Sequence, residues 1–530
     1  MDRSKIINLL NTVKFLRVKQ IKYRLYYFIR NHFFKKDYSK EFSSDVRFLV
    51  LDNFSFDNKS YLKNKSFNFL NLKKEFSDEI DWNFNDFGKL WTYNLNYFDF
   101  LNQADISKEE GFSLIFDYQS KDAVLIDGKE PYTISLRGIN WIKFLSKYKI
   151  VDKSINQTLY NHYQILLHNL EFHILGNHLL ENAFSLVFAG CYFKDLKIYK
   201  KGFKILKDEL NEQILKDGGH FELSPMYHQI ILFRLLDTIQ LLENNNWVEV
   251  NSKSSLLFLR KKASKMLSWL LKVTFHDGNI PMVNDSAFGI APSTEDLLFF
   301  AKSLKIEESN YKLSDSGYRK YANSNYELFV DVGGVGPSYQ PGHAHSDTFN
   351  FELYFKNKPL IVDTGTSTYE KNEKRFTERS TSSHNTVEIN QQNQTQVWGG
   401  FRVAKRAKIV GFQESDYSVF ATHNGYKSLN ILHTRKFETD STNILITDSF
   451  KGNKDIQKVA FFHFHPEVKK ILIDQDSIRL KEQDVKITFL GNILKIEKEI
   501  YNFAFGFNKT KEAYKVKVFF KNNLKTQIKL

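Results

Sequence analysis

The sequence predicts a multidomain α+β protein, a run of antiparallel helix pairs followed by an antiparallel β-sandwich. Three observations predict it. From about Trp91 to Phe300 apolar residues recur at helical spacing in blocks such as "LYNHYQILLHNLEFHIL", "ENAFSLVFAGCYF" and "QIILFRLLDTIQLLENN", parted by short Gly, Asn and Asp clusters. After about Leu313 the texture turns to short alternating segments rich in β-branched and aromatic residues, among them "YELFVDVGG", "PLIVDTG", "ILITDSF" and "YKVKVFF". A chain of 530 residues, 42% hydrophobic and 15% aromatic, can bury a large core in two or three domains.

Residues 1–40 hold eleven Lys or Arg against Asp2 and Asp37, a local net of +9 within a whole-chain net of +14. They read as a basic amphipathic N-terminal helix, whose longest apolar run, Leu25 to Ile29, is far too short for a signal-peptide core or a membrane span. A helix packed on the main body with a solvated basic face is expected ahead of one bound to a membrane surface. Residues 41–90 are an aromatic and polar connecting region without clear periodicity. Over 91–313 successive helices with short loops pack as antiparallel hairpins, and several in a row suggest a helical toroid or solenoid. Over 314–530 the many short strands argue for the sandwich. Eight prolines and one cysteine exclude a disulfide scaffold, and Cys191 reads as a packed free thiol. The basic excess favours an acidic partner: nucleic acid, a membrane surface or a polyanionic glycan.

Three stretches carry candidate chemistry. In "GHAHSDTFNFELYF", strand alternation would place His343, His345, Asp347, Phe349 and Phe351 on one face, so both imidazoles lie in line with a buried stripe and need partners. Downstream, "PLIVDTG" ends in Asp363 and "RSTSSHNTVEIN" presents His384. His345, Asp363 and His384 form a two-nitrogen, one-oxygen set suited to a zinc-like ion, with a hydrogen-bonded His–Asp pair as the plain alternative. In "GNHLLENAF", Asn177, His178 and Glu181 open an apolar helix. Glu181, three residues on, could hold the His178 tautomer, or Asn177 could simply cap the helix. In "DGGHFELSPMYH", Ser224 reads as N-cap and Pro225 as the first helical residue, which sets Tyr227 where the helix dipole and nearby cations would favour phenolate.

Taken together, these motifs resemble the heparinase II/III-like polysaccharide lyases. The resemblance rests on "GPSYQPGHAHSDTFNFEL", "PLIVDTGTSTY", "RSTSSHNTVEI" with "WGGFRV", and upstream on "PYTISLRGINWI", "GNHLLENAF", "DGGHFELSPMYH" and "GNIPMVNDSAFG", in that family's order over roughly Trp91 to Arg406. It implies an incomplete (α/α) toroid joined to an antiparallel β-sandwich, with the active site between them. It further implies Tyr227 as the proton-transferring tyrosine, His343 as a catalytic histidine, and Asn177 and His178 as the groups that meet the substrate carboxylate, with Glu181 supporting. His345, Asp363 and His384 match a metal set, a divalent ion and most simply zinc, in a structural role. Arg137 and Arg379 are implied glycan contacts.

The chemistry explains the residue types. A uronic acid carries an acidified proton at C5 and a sugar oxygen at C4 that can leave. Elimination needs a group to neutralise the carboxylate, a base for the proton and an acid for the leaving oxygen. Asn177 and His178 suit the first role, and Tyr227 and His343 the other two. The expected reaction is therefore β-elimination on an acidic, uronate-containing polysaccharide, with a glycan rather than nucleic acid as partner. Rival readings are a glycoside hydrolase, using Glu181 and Glu222 as paired carboxylates, and a non-catalytic protein that binds acidic glycans during surface-polysaccharide assembly. Without a recognisable secretion signal, a cytoplasmic site is expected ahead of a periplasmic one.

Overall fold

The computed structural model describes residues 3–34, 37–52, 59–245, 253–453 and 456–530. Lys35, Lys36 and part of the connecting region therefore lie outside the described residues.

The expected basic N-terminal helix is two helices, α1 (Arg3–Val13) and α2 (Val18–Phe33). Gln20 closes the break: its Oε1 accepts from the Arg17 N–H at 2.9 Å, while its Nε2 donates to Ile174 O and Gln340 Oε1. One face of α2 docks on the body, with the Tyr27 hydroxyl on Leu170 O at 2.6 Å and Arg30 on His168 O at 2.6 Å. In the connecting region a short hairpin, Ser66–Phe69 with Leu72–Glu75, packs Phe67 and Phe69 beside Trp82 and Trp91 in the helical core.

The helical half runs through α3 (Lys89–Tyr97), α4 (Lys108–Ser120), α5 (Pro131–Lys147), α6 (Lys153–His168), α7 (Gly176–Tyr192), α8 (Leu196–Gln213), α9 (Pro225–Asn244), α10 (Lys253–Val273) and α11 (Thr294–Ser303). Together they form an incomplete (α/α) toroid. Helix α7 is predominantly apolar and buried along its whole length apart from His178, as its central place against α5, α8 and α9 requires. It meets α8 so closely that a Cβ on Gly190 would stand 2.6 Å from Tyr199 Cα, and one on Gly202 2.6 Å from Leu186 Cβ. As expected, Ser224 caps α9 by accepting from the Tyr227 N–H, and Pro225 occupies its first turn. Cys191 is a buried free thiol. Among the described residues no helix is long and apolar enough to cross a membrane.

The strand half is a β-sandwich. A four-stranded antiparallel sheet (Tyr318–Ala322, Tyr326–Asp331, Phe351–Phe355, Lys358–Ile361) shares one core with a ten-stranded antiparallel sheet, Leu328, Phe351 and Leu353 meeting Phe437, Ile446 and Phe520. The larger sheet contains two long paired strands, Val485–Gly506 and Lys509–Lys529, whose register shifts between Ala504 and Gly506. Their turn reaches back to the helical half. Phe507 enters the helical core, its carbonyl accepts from Asn71 Nδ2, and Asn508 Nδ2 donates to Leu70 O in the short hairpin packed on that core.

Alternation does not run back through the two histidines. The strand begins at Phe351, residues 343–350 are turns and bends, and Phe349 has φ +72°. Both faces of Phe351–Phe355 are buried, so Glu352 is inside as well, accepting from Met282 N at 2.7 Å. His343 and His345 are thus placed by a looped segment, not by strand parity.

Candidate active site

Helical half, sandwich and N-terminal helices together enclose a cleft of about 880 Å³. Asn177, His178 and Tyr227 face it from the toroid, His343 and Tyr369 from the sandwich, and Leu9 and Arg24 from α1 and α2.

The first turn of α7 is held from below by Glu222. Its Oε1 accepts from Asn177 N at 3.0 Å and its Oε2 from Asn177 Nδ2 at 2.7 Å. Gly176, at φ +61°, leaves room for this, since a Cβ there would meet Glu222 Oε1 at 2.4 Å. Asn177 is therefore not the N-cap, a place taken by Leu175. Its amide nitrogen also lies 3.3 Å from His343 Nε2 across the seam.

His178 packs on Tyr132 at 4.5 Å between centroids, tilted by 43°, and keeps 32% of its side chain exposed. Its partner is Glu171, with Nδ1 to Oε1 at 2.9 Å, and not the expected Glu181. Burial disfavours the imidazolium, but the charge and hydrogen bond of Glu171, with Glu222 and Glu130 behind them, together outweigh it and raise the His178 pKa. Glu181 turns the other way, into the protein interior, 3.4 Å from Arg234 Nε. Both its oxygens lack hydrogen bonds, and burial pushes its pKa up to about 7. Arg234 stays charged because Glu181, Asp99 and Asp237 share it, whereas Glu181 has one distant cation against its burial.

Tyr227 packs against His343 with ring centroids 3.9 Å apart and planes tilted by 33°, and its hydroxyl stands 3.4 Å from that of Tyr369. The phenolate expectation is corrected here. Burial raises the Tyr227 pKa, Arg375 offsets it only in small part, and the resting side chain is a protonated phenol. His343 Nδ1 lies 3.0 Å from Asp285 Oδ2, and His345 Nε2 is 2.9 Å from Asp285 Oδ1. Arg375 grips the same carboxylate with both terminal nitrogens. Although burial opposes it, Arg375 and the two histidines keep the Asp285 carboxyl well below the ordinary range. An ionised Asp285 only accepts, so His343 Nδ1 donates to it and Nε2 is the ring nitrogen left to face the cleft.

The expected metal set stands close together but is paired internally. Rings of His345 and His384 are 5.3 Å apart, and His384 Nδ1 bonds Asp363 Oδ2 at 2.8 Å. Among the described residues no three His, Cys, Asp or Glu form a ready-made metal cage. Yet His345 Nδ1, His384 Nε2 and Asp347 Oδ2 are buried without hydrogen-bond partners, so the donor types a zinc-like ion takes are present and unspent.

Two expected glycan contacts are corrected. Arg137 is fully buried away from the cleft, on Asn96 O and beside His162 Nδ1, with its guanidinium 4.8 Å over the Tyr118 ring. Arg379 is likewise buried and ties Ala344 O, between the two histidines, to the carbonyls of Gly399 and Gly400. Each is a cation that staples backbone or fills the core. Sequence reasoning missed Asp285, Glu171 and Arg375, and gave Glu222 another role. The motif "GNIPMVNDSAFG" contained Asp285, and its place inside a family motif was the available signal.

The toroid, the sandwich and the cleft between them have the fold of solved heparinase III structures. One of these matches with a TM-score of 0.66 at 14% identity, over 97% of this chain and 84% of its own. The heparan sulfate lyase of Pedobacter heparinus matches with a TM-score of 0.57 at 17% identity, over 88% of this chain and 81% of its own. In sequence, the heparin-sulfate lyase of Bacteroides stercoris is 25% identical over 347 residues, which is 59% of this chain and 49% of the relative. That of Pedobacter heparinus is 27% identical over 246 residues, 41% of this chain and 36% of the relative. These matches take in about half the relatives' length or less. Two family profiles fit successive parts of the chain, "Heparinase II/III N-terminus" over residues 134–298 and "Heparinase II/III-like, C-terminal" over residues 308–529. The chain belongs to the heparinase II/III-like family.

Proposed function

We propose that the protein is a polysaccharide lyase that cleaves an acidic, uronate-containing glycan by β-elimination. The observation that supports this most directly is the meeting of Tyr227, His343 and Asn177 on one cleft wall, with His343 oriented by an ionised Asp285. His343 Nε2 takes the C5 proton. The C4–O bond breaks as a C4–C5 double bond forms, and Tyr227, kept as a phenol by burial, donates its proton to the leaving oxygen. His178, whose charged form Glu171 favours, and the Asn177 amide answer the negative charge that grows on the carboxylate. Solvent then returns the protons to the resting state.

The hydrolase alternative loses a carboxylate, because Glu181 is buried against Arg234 and off the cleft wall. A divalent ion, when bound, would supply a structural clamp between strands, held by His345 and His384 through their unpartnered nitrogens and by the free Asp347 Oδ2, whereas Asp363, the acid the sequence offered, already accepts from His384 Nδ1, Asn350 Nδ2 and Gly365 N. Since the matched relatives are heparin-sulfate lyases, heparan-type polymers head the substrate panel, followed by other uronate polymers. The test is ultraviolet absorbance of an unsaturated uronate product. Cleavage without that absorbance would point to hydrolysis, and binding without cleavage to a non-catalytic glycan-binding protein.

A further inference from the structure

Helix α2 has two faces that the docking of one leaves unequal. Gln20, Tyr23, Tyr27 and Arg30, at steps of three and four, face the body: Tyr23 packs on Phe172 at 4.7 Å, and the others make the hydrogen bonds given above. On the opposite face, at the same steps, stand Val18, Ile21, Leu25 and Phe28, which are 82%, 48%, 58% and 57% exposed. Helix α1 repeats the arrangement. Leu9, Thr12 and Val13 line the cleft, while Ile6, Ile7 and Leu10 are exposed. Solvent-exposed apolar residues are common singly, but a stripe of them in helical register on the face away from the core is not what folding of this chain requires.

Charge identifies what would cover the stripe. Between Arg3 and Phe34 the sequence has eight Lys or Arg and no Asp or Glu. Lys5, Lys14, Lys19 and Lys22 are exposed and form no ion pair among the described residues. A second copy docking through this face would set two unrelieved cationic surfaces against each other, and a polyanionic glycan would leave the apolar stripe in water. An anionic bilayer matches both features, taking the apolar side chains at the headgroup boundary and the lysines at its phosphates. We infer that α1 and α2 form a peripheral foot that docks the protein on an anionic membrane surface. Since the same helices line the cleft, docking holds the cleft beside the bilayer. The inference rests on these helices alone and is independent of the reaction proposed above.

The full chain is to be sedimented with vesicles of phosphatidylcholine and phosphatidylglycerol, and with phosphatidylcholine alone, at physiological salt. Binding is expected only to the anionic vesicles, with weakening as salt rises. The variant Ile21→Ser/Leu25→Ser/Phe28→Ser, altered only at exposed positions, should keep its melting temperature and lose about tenfold or more of that binding, since buried apolar area sets interfacial affinity. Leu25→Ser alone, with a smaller loss, serves if the triple variant does not fold. No sedimentation of the native chain, or equal sedimentation of native and variant chains, overturns the inference. So does a dimer of the native chain that the substitutions dissolve, which would assign the face to a second copy.

Discussion

Tyr227 and His343 touch through their rings, so each substitution must be read for packing as well as chemistry. Tyr227→Phe keeps the ring and removes one hydroxyl, whose hydrogen bond to Tyr369 is long at 3.4 Å. Stability should therefore fall by at most about 0.5–1.5 kcal/mol, while turnover falls on the order of 10²–10⁴-fold if the phenol is the acid. Near-native initial rates of unsaturated-uronate formation in folded Tyr227→Phe would remove that assignment. The two glutamates near His178 separate in the same manner. Glu171 favours the His178 imidazolium, so activity that depends on that charge is present below its raised pKa and lost above it. Glu171→Gln should shift the alkaline limb of the pH–rate profile to lower pH, and Glu181→Gln should leave it in place. Glu181→Gln should act on stability instead. With its folded pKa near 7 and its ordinary value at 4.5, Glu181 holds a proton that the unfolded chain has released, and the native protein loses stability as pH rises between them. Urea midpoints across that window should show the slope, on the order of 3 kcal/mol in all, and its absence in the variant.

The elements that carry the site are joined by one buried carboxylate. Asp285 sits in the connection between α10 and α11, yet it holds His343 and His345 from the loop before Phe351–Phe355, and Arg375 from the short helix Glu373–Glu378. Removing the cation leaves that carboxylate buried with two histidines and no full charge to balance it. Arg375→Met should destabilise by about 3–5 kcal/mol in chemical denaturation, and Arg375→Lys by less, because it restores charge without the two-point grip. An Arg375→Met protein as stable as the native one would show that Asp285 sheds its charge without cost. The neighbouring Arg379 does a different job, fixing the Ala344 carbonyl and the Gly399–Gly400 turn, so it sets the spacing of the two histidines through backbone alone.

At the scale of the whole molecule, the cleft exists only because two separate cores are pressed together. Tyr318, Tyr339, Tyr354 and Phe507 of the strand half belong to the helical core, and the turn of the long hairpin reaches across to it. An ion held by His345, His384 and Asp347 would stiffen the sandwich side of this seam. Metal analysis of the purified protein should then find about one zinc-like ion per chain, and chelation should lower the melting temperature before it alters the rate law. An ion-free protein whose melting temperature ignores chelator would leave a plain His–Asp hydrogen-bond network, which the bonded His384–Asp363 pair already resembles.

What the sequence determined by itself was whatever depends on near neighbours along the chain. Period 3.6 before Phe300 and period 2 after Leu313 specify helices and strands, and capping chemistry at Ser224 and Pro225 locates the start of α9 and hence Tyr227. The family motifs likewise carried Asn177, His178 and His343 to the cleft. What only the tertiary structure decided was which groups those residues meet. His343 finds Asp285 58 positions away and Asn177 166 positions away, and His178 takes Glu171 over the sequence-adjacent Glu181. A spacing of three puts two side chains on one side of a helix without saying which way that side turns, and α7 is buried all round. Arg137 and Arg379 show the same limit from the other direction. An arginine in a motif reads as a ligand contact, but its five donors serve equally well to satisfy buried carbonyls, and only packing tells where the guanidinium ends.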